Sequence, residues 1–229
     1  MEPSDRFESS LTISPVYETE DRFFFPFWDF ASRIQSLQRH WHFSKEFIDF
    51  HISQLDKAPD DGTAEWGVIY TEVAEVDIEF FPNYLRGSII AMCFALFETL
   101  LGDVAEEAAK DTGNEITFEK KRPLPYINRY ILWLSRSCGL DLQIDKQLWK
   151  ELDAVRELRN KFIHRIDRDL PSQIRETLET LSDNLPSTEF SIGDDHVELT
   201  FSTMANLAKL IELAYLEFYD SREKTNRSG

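Results

Sequence analysis

Nine consecutive apolar residues, Ile89 to Phe97, form the longest uninterrupted apolar run of the chain. The pattern around them predicts a helix from about Asn83 to Lys110 that is hydrophobic nearly all round between Ile89 and Leu101. A helix without a polar face cannot lie on a surface, so the rest of the chain is expected to pack around it. The run itself is too short to span a bilayer.

The flanking segments also read as helical. Phe30, Ile34, Leu37, Trp41, Ile48, Ile52 and Leu55 recur at helical spacing between Phe27 and Asp56, with a break expected near Ser44. KAPDDGT at 57–63 has loop composition. Trp66, Ile69, Val73, Val76 and Phe80 continue the three- and four-residue steps until Pro82, which is expected to end that unit. Gly113 suits a left-handed cap after the central helix. A further helix is expected from about Pro123 to Cys138, and another opens at Asp145, a good capping residue. Pro171 is expected to start a short helix that Leu185-Pro186-Ser187 breaks. EFSIGDDHVELTF, 189–201, reads as a β-hairpin turning at Gly193-Asp194. A last helix, 202 to about 220, carries Met204, Leu207, Ile211, Ala214, Tyr215 and Phe218 on one face. The expected fold is therefore all-α with a small late β-hairpin. Its expected parts are a loosely ordered segment 1–22, a helical extension 23–63, a main helical domain 64–220 and a flexible tail 221–229. With 229 residues, 42% of them hydrophobic, there is material for a well-filled core.

RELRNKFIHR, 156–165, stands out because the chain is strongly acidic, with a formal net charge of −17. Basic residues near a helix C-terminus usually complement the helix dipole and decorate a solvated face. An Arg and a His four to six residues apart is also a common accident, and Arg33 and His40 repeat that spacing. The context of Arg159 differs. Asn160 follows it directly and shares a helical ridge with His164. Leu152, Val155, Leu158, Phe162 and Ile166 supply an apolar side that anchors the segment.

Arg159-Asn160-Lys161-Phe162-Ile163-His164 resembles the Rx4–6H signature of HEPN domains, in the version with Asn after Arg. FFPNYLRGSIIAMCFALFETLLGDVA is similar to the long central helix of such proteins, including an acidic residue, Glu98, after the apolar run. The resemblance spans roughly residues 64–220. Ile166 departs from the toxins paired with nucleotidyltransferase antitoxins, which often carry Tyr there. The resemblance implies a HEPN-like helical bundle acting as a metal-independent endoribonuclease, in phage defence, toxin–antitoxin or RNA-processing systems. It also implies a homodimer with a composite cleft, an RNA substrate, an antitoxin or defence partner protein, and no cofactor.

The chemistry suits these residue types, because RNA carries its own nucleophile in the 2′-hydroxyl. The protein then supplies only proton transfer and charge stabilisation. His164 titrates near neutrality and can take or give a proton. Arg159, forked and always charged, would hold the scissile phosphate. Asn160 would orient His164 or the phosphate. Arg156, Lys161, Arg165 and Arg168 would extend the RNA-binding surface, and Glu98 would stand behind Arg159 or His164. On an ideal helix Arg159 and His164 diverge by about 140°. A distorted helix, a reaching arginine or a second protomer would bring them together, and the resemblance favours the last.

Other function classes lack support. His40-Trp41-His42 diverges on a helix, no carboxylate or Cys completes a metal site, and His196 reads as structural. P-loop, GxGxxG, GxSxG and HExxH motifs are absent from the sequence. The two cysteines, Cys93 and Cys138, read as reduced, and no secretory signal opens the chain, so a cytoplasmic protein without membrane contact is expected. An acidic chain repels RNA over most of its surface, so RNA would be met at a local basic patch or with a basic partner. That charge motivates the alternative, a non-catalytic HEPN module binding a partner protein or nucleotide.

Overall fold

A computed structural model of the chain describes residues 25–55, 64–118, 125–164 and 192–227, with single helical positions at 172, 176 and 178. At 54–55, 64–80, 164 and 223–227 only the course of the backbone is described. Five helices follow in order: α1 Phe25–Leu55, α2 Ala64–Thr112, α3 Tyr126–Ser137, α4 Lys146–His164 and α5 Asp194–Arg227. The segments 1–22, 57–63 and 185–187 assigned above from sequence lie outside the described residues.

The expected hairpin is absent. No strand occurs among the described residues, and the stretch from Asp194 onward is the first turn and body of α5. The alternation in VELTF concealed a helical period. Val197, Phe201, Met204, Leu207 and Ile211 are all buried, at three- and four-residue steps. Gly193, read as a turn residue, is the helix N-cap. The His196 N–H points at its carbonyl at 3.2 Å, and its own N–H donates to His196 Nδ1 at 2.9 Å. That reciprocal arrangement stands in for a Ser/Glu capping box. The same helix also continues past 220, to Arg227.

Two further expectations fail in the same direction. α1 runs unbroken through Ser44, and α2 runs 49 residues straight through Pro82. Pro82 offers no N–H to the carbonyl one turn earlier. The long apolar segment that follows holds the helix together beyond it. Phe81–Thr112 is long and apolar enough to cross a membrane by length and composition, with mean hydropathy 1.7 and half of its most apolar window buried inside the protein. Gly113 does end α2, at φ 71°, with its N–H on the Ala109 carbonyl at 2.8 Å.

The chain forms two compact units. The first comprises residues 1–34, 94–152 and 202–229. Its core sets Phe30 edge-on to Phe97 at 6.0 Å and closes over Leu101, Val104, Leu134, Met204 and Ile211. The end of α2 is tied down by polar contacts. Tyr215 donates its hydroxyl to Asp111 Oδ2 at 2.9 Å, Arg222 donates to the Asp111 carbonyl at 2.7 Å, and Asn114 donates to the Ser137 carbonyl at 2.6 Å. Burial, then Asp111, push the Tyr215 hydroxyl well up, so it remains a donor.

The second unit comprises residues 35–93 and 153–201. Trp41, Ile89, Ile90, Val155, Leu158 and Phe201 are nearly inaccessible to solvent. Trp41 Nε1 donates to Glu198 Oε1 at 3.2 Å. Asp194 takes Lys45 at 2.8 Å and Arg86 at 2.7 Å, so one carboxylate at the start of α5 ties that helix to α1 and α2. Gly87 lies against the Phe162 side chain so closely that a Cβ there would fall inside the ring. The Tyr84 ring meets Phe162 edge-on at 6.4 Å.

An exposed helical Gly→Ala change normally stabilises by about 1 kcal/mol. Gly87→Ala is expected instead to destabilise by about 1–3 kcal/mol, the range for overpacking, as read by urea unfolding. Adding Phe162→Leu to that variant should restore part of the loss.

The start of α5 should also make stability depend on pH. Burial pushes His196 below its ordinary value, and its Nδ1 must stay unprotonated to accept the Gly193 N–H. Below about pH 6.5 the unfolded chain therefore takes up protons that the folded chain refuses. Stability is full above that pH and falls as pH drops through the folded value. For Asp194, burial pushes the carboxyl up, but the hydrogen bonds from Lys45 and Arg86 outweigh it and hold it below the usual carboxylate range. Its contribution is present above about pH 4 and lost as pH falls through the folded value. The urea midpoint should drop in two stages on acidification. His196→Gln, which keeps an acceptor for Gly193, should remove the first stage and leave the second.

Candidate functional site

Asp145 Oδ1 accepts the Leu148 N–H at 2.8 Å and caps α4, which then stays helical to His164. Leu152, Ala154, Val155 and Leu158 are buried, so the helix presents one side to the core. Phe162 anchors the next turn on Gly87. Arg156, Arg159, Asn160 and Lys161 occupy the remaining faces.

Arg159 is half-buried. Its Nη1 donates to Oδ1 of the adjacent Asn160 at 3.2 Å, while its Nε is shut off from solvent with no acceptor among the described residues. A buried donor in that state costs about 1–3 kcal/mol. The contact also pins the guanidinium on the side of Asn160. Arg156 is in a different state. Its Nη1 lies 2.9 Å from Asp153 and its Nη2 3.3 Å from Glu157, so its charge is balanced on its own helix.

Lys161 is half-buried on the same turn. His164 is the last residue of α4. Because α4 is helical from Arg159 to that point, the two Cα positions lie about 140° apart round the axis and about 7.5 Å along it. Arg165 and Arg168 lie outside the described residues. Glu98 is half-buried on α2 and belongs to the first unit, whereas Arg159, Asn160 and His164 belong to the second. Arg159 and Asn160 are thus brought into contact, with the guanidinium Nε closed off from solvent beside them.

The other sequence candidates resolve simply. Arg33 pairs with Asp29 at 2.8 Å, one turn back on α1. Trp41 is buried while His40 is exposed. Among the described residues no group of His, Cys, Asp or Glu is placed to hold a metal ion. Cys93 and Cys138 are free and buried, and burial pushes both thiols up, away from the reactive thiolate.

Two features escaped the sequence reading. One is the Lys45–Asp194–Arg86 cluster; an Asp following a Gly ahead of an apolar period signals a helix start, but here it passed for a hairpin turn. The other is a row of exposed phenylalanines on α1, Phe43, Phe47 and Phe50, which helical spacing alone marks as a second face. No family model matches the chain, and no curated protein or solved structure matches it.

Proposed function

We propose that the chain is a HEPN-type, metal-independent endoribonuclease whose site is built from Arg159, Asn160 and His164. The observation that carries this reading is the state of Arg159. Its Nη1 is held by Asn160 and its buried Nε has no acceptor among the described residues, so a phosphate oxygen would complete the donor set once the side chain turns out towards solvent. In this reading Asn160 positions Arg159 rather than His164. Arg159 offsets the extra charge that develops on phosphorus as the 2′-hydroxyl attacks. His164 carries a proton to or from the ribose, and the products are a 2′,3′-cyclic phosphate and a 5′-hydroxyl.

The helical course of α4 supports a composite site, since Arg159 and His164 of one chain start on diverging faces. The proposal therefore includes a homodimer, acting on RNA in the cytoplasm within a defence or toxin–antitoxin system. One observation favours the alternative, a non-catalytic module that binds a partner protein or nucleotide. Asp153 and Glu157 already balance Arg156, so the patch offers RNA less positive field than its composition promises.

A labelled RNA pool in the presence of EDTA separates the two readings. Wild type should cleave it to cyclic-phosphate ends. His164→Ala should lower the rate by about 10²–10⁴, and Arg159→Ala by about 10²–10³. Arg156→Gln should cost less than Arg159→Gln, and Arg33→Ala should change nothing. Equal cleavage by wild type and His164→Ala, or activity that EDTA abolishes, overturns the nuclease reading.

A further inference from the structure

Helix α1 carries two apolar seams, and only one is used. The buried seam runs through Ile34, Leu37, Trp41 and Ile48. Roughly 120° round the helix, Ser36, His40, Phe43, Phe47 and Phe50 recur at alternating steps of four and three residues. Phe43, Phe47 and Phe50 are 66%, 67% and 63% exposed. Steps of four and three are the repeat by which one helix packs along another. Three phenylalanines exposed to this degree offer roughly 300–500 Å² of aromatic surface, the size of the largest apolar patch on an ordinary monomer. That is a substantial part of the ~800 Å² each partner gives to a stable interface.

Charge along the seam decides what fits it. Arg39 and His42 flank one half, and Glu46 and Asp49 flank the other half on the same side. A two-fold axis near residue 45, with helices antiparallel, sets Phe43 of each copy against Phe47 of the other and His40 against Phe50. The same axis brings Arg39 within about 3 Å, along the helix, of the level of Asp49, and His42 likewise of Glu46, a gap these side chains span. A parallel pairing sets each charge level with its own copy instead. The face is thus self-complementary in shape and sign.

We infer that the outer face of α1, centred on Phe43, Phe47 and Phe50, docks a second copy of this chain as an antiparallel two-fold helix pair. This claim does not rest on the nuclease reading: it concerns the contact that makes the dimer, and a dimer that Phe47→Glu leaves intact would keep the composite site while losing this contact.

Sedimentation equilibrium of the full chain should show a dimer at micromolar concentration. Phe47→Glu should weaken self-association at least about tenfold, because a central aromatic is lost and two carboxylates are set against the partner's phenylalanines. Its helicity by circular dichroism should be unchanged, the side chain being outward. Arg39→Asp and Asp49→Arg should each weaken the dimer, and the double variant should restore it. A spin label at Ser36→Cys should lie about 27 Å along the axis from its copy if the pair is antiparallel, against about 10 Å if it is parallel. A monomeric wild type at 100 µM overturns the pairing, whatever vesicle, RNA or protein the phenylalanines then bind. So does a dimer indifferent to Phe47→Glu, a swap that fails to restore it, or the short label distance.

Discussion

The contact between Gly87 and Phe162 fixes how the basic segment of α4 is presented. Polar side chains on a helix become a defined arrangement only if the helix cannot roll, and rolling is prevented on its apolar side. Leu158 and Val155 are sealed in the core. One turn further on, Phe162 lies against a position on α2 where any Cβ would collide with it. Tyr84 closes the same ring edge-on. The glycine thus sacrifices helix propensity on α2 for a close approach, and the turn bearing Arg159 and Asn160 is held at its open end. Packing fixes the position and charge acts upon it. The sequence motif, read alone, contains only the second half.

Legibility followed the range of the interaction. The all-α core, the cap at Asp145 and the left-handed Gly113 depend on residues within a turn or two of one another, and they could be read directly. So could the apolar side of α4. What could not be read depended on distant partners. Asp194 looks like a turn residue until Lys45 and Arg86, more than a hundred residues earlier, are placed beside it. His196 looks like a structural residue of a hairpin until its ring is seen to accept the Gly193 N–H at the start of a helix. Pro82 shows the same rule from the other side. A local breaking signal of about 3 kcal/mol loses to the burial of a long apolar segment beyond it, because each large side chain contributes about 1.5–3 kcal/mol when taken out of water. The phenylalanine row on α1 was hidden differently. Apolar spacing identifies the faces of a helix but not which of them is covered, so one apolar face of α1 was read and Phe43, Phe47 and Phe50 were left unassigned.

Charge shows most clearly why counting residues misleads. Read along the chain, five basic residues in ten look like an electropositive patch on an acidic protein. In the fold, much of the basic inventory is already spent. Arg156 is matched by Asp153 and Glu157, Arg86 and Lys45 share Asp194, Lys110 is held by Glu107, and Arg222 caps the Asp111 carbonyl over the Phe218 ring. Most of these pairs are at least partly solvated and each contributes little to stability. They nonetheless remove the field that an anionic ligand would feel. A protein with a net charge of −17 cannot draw RNA in from a distance by its overall potential; it can only hold a phosphate where a cation has been left short of acceptors. Among the described residues the Arg159 Nε is a donor left in that state, and the proposed reading rests on what the fold withholds from it rather than on the density of positive charge around it.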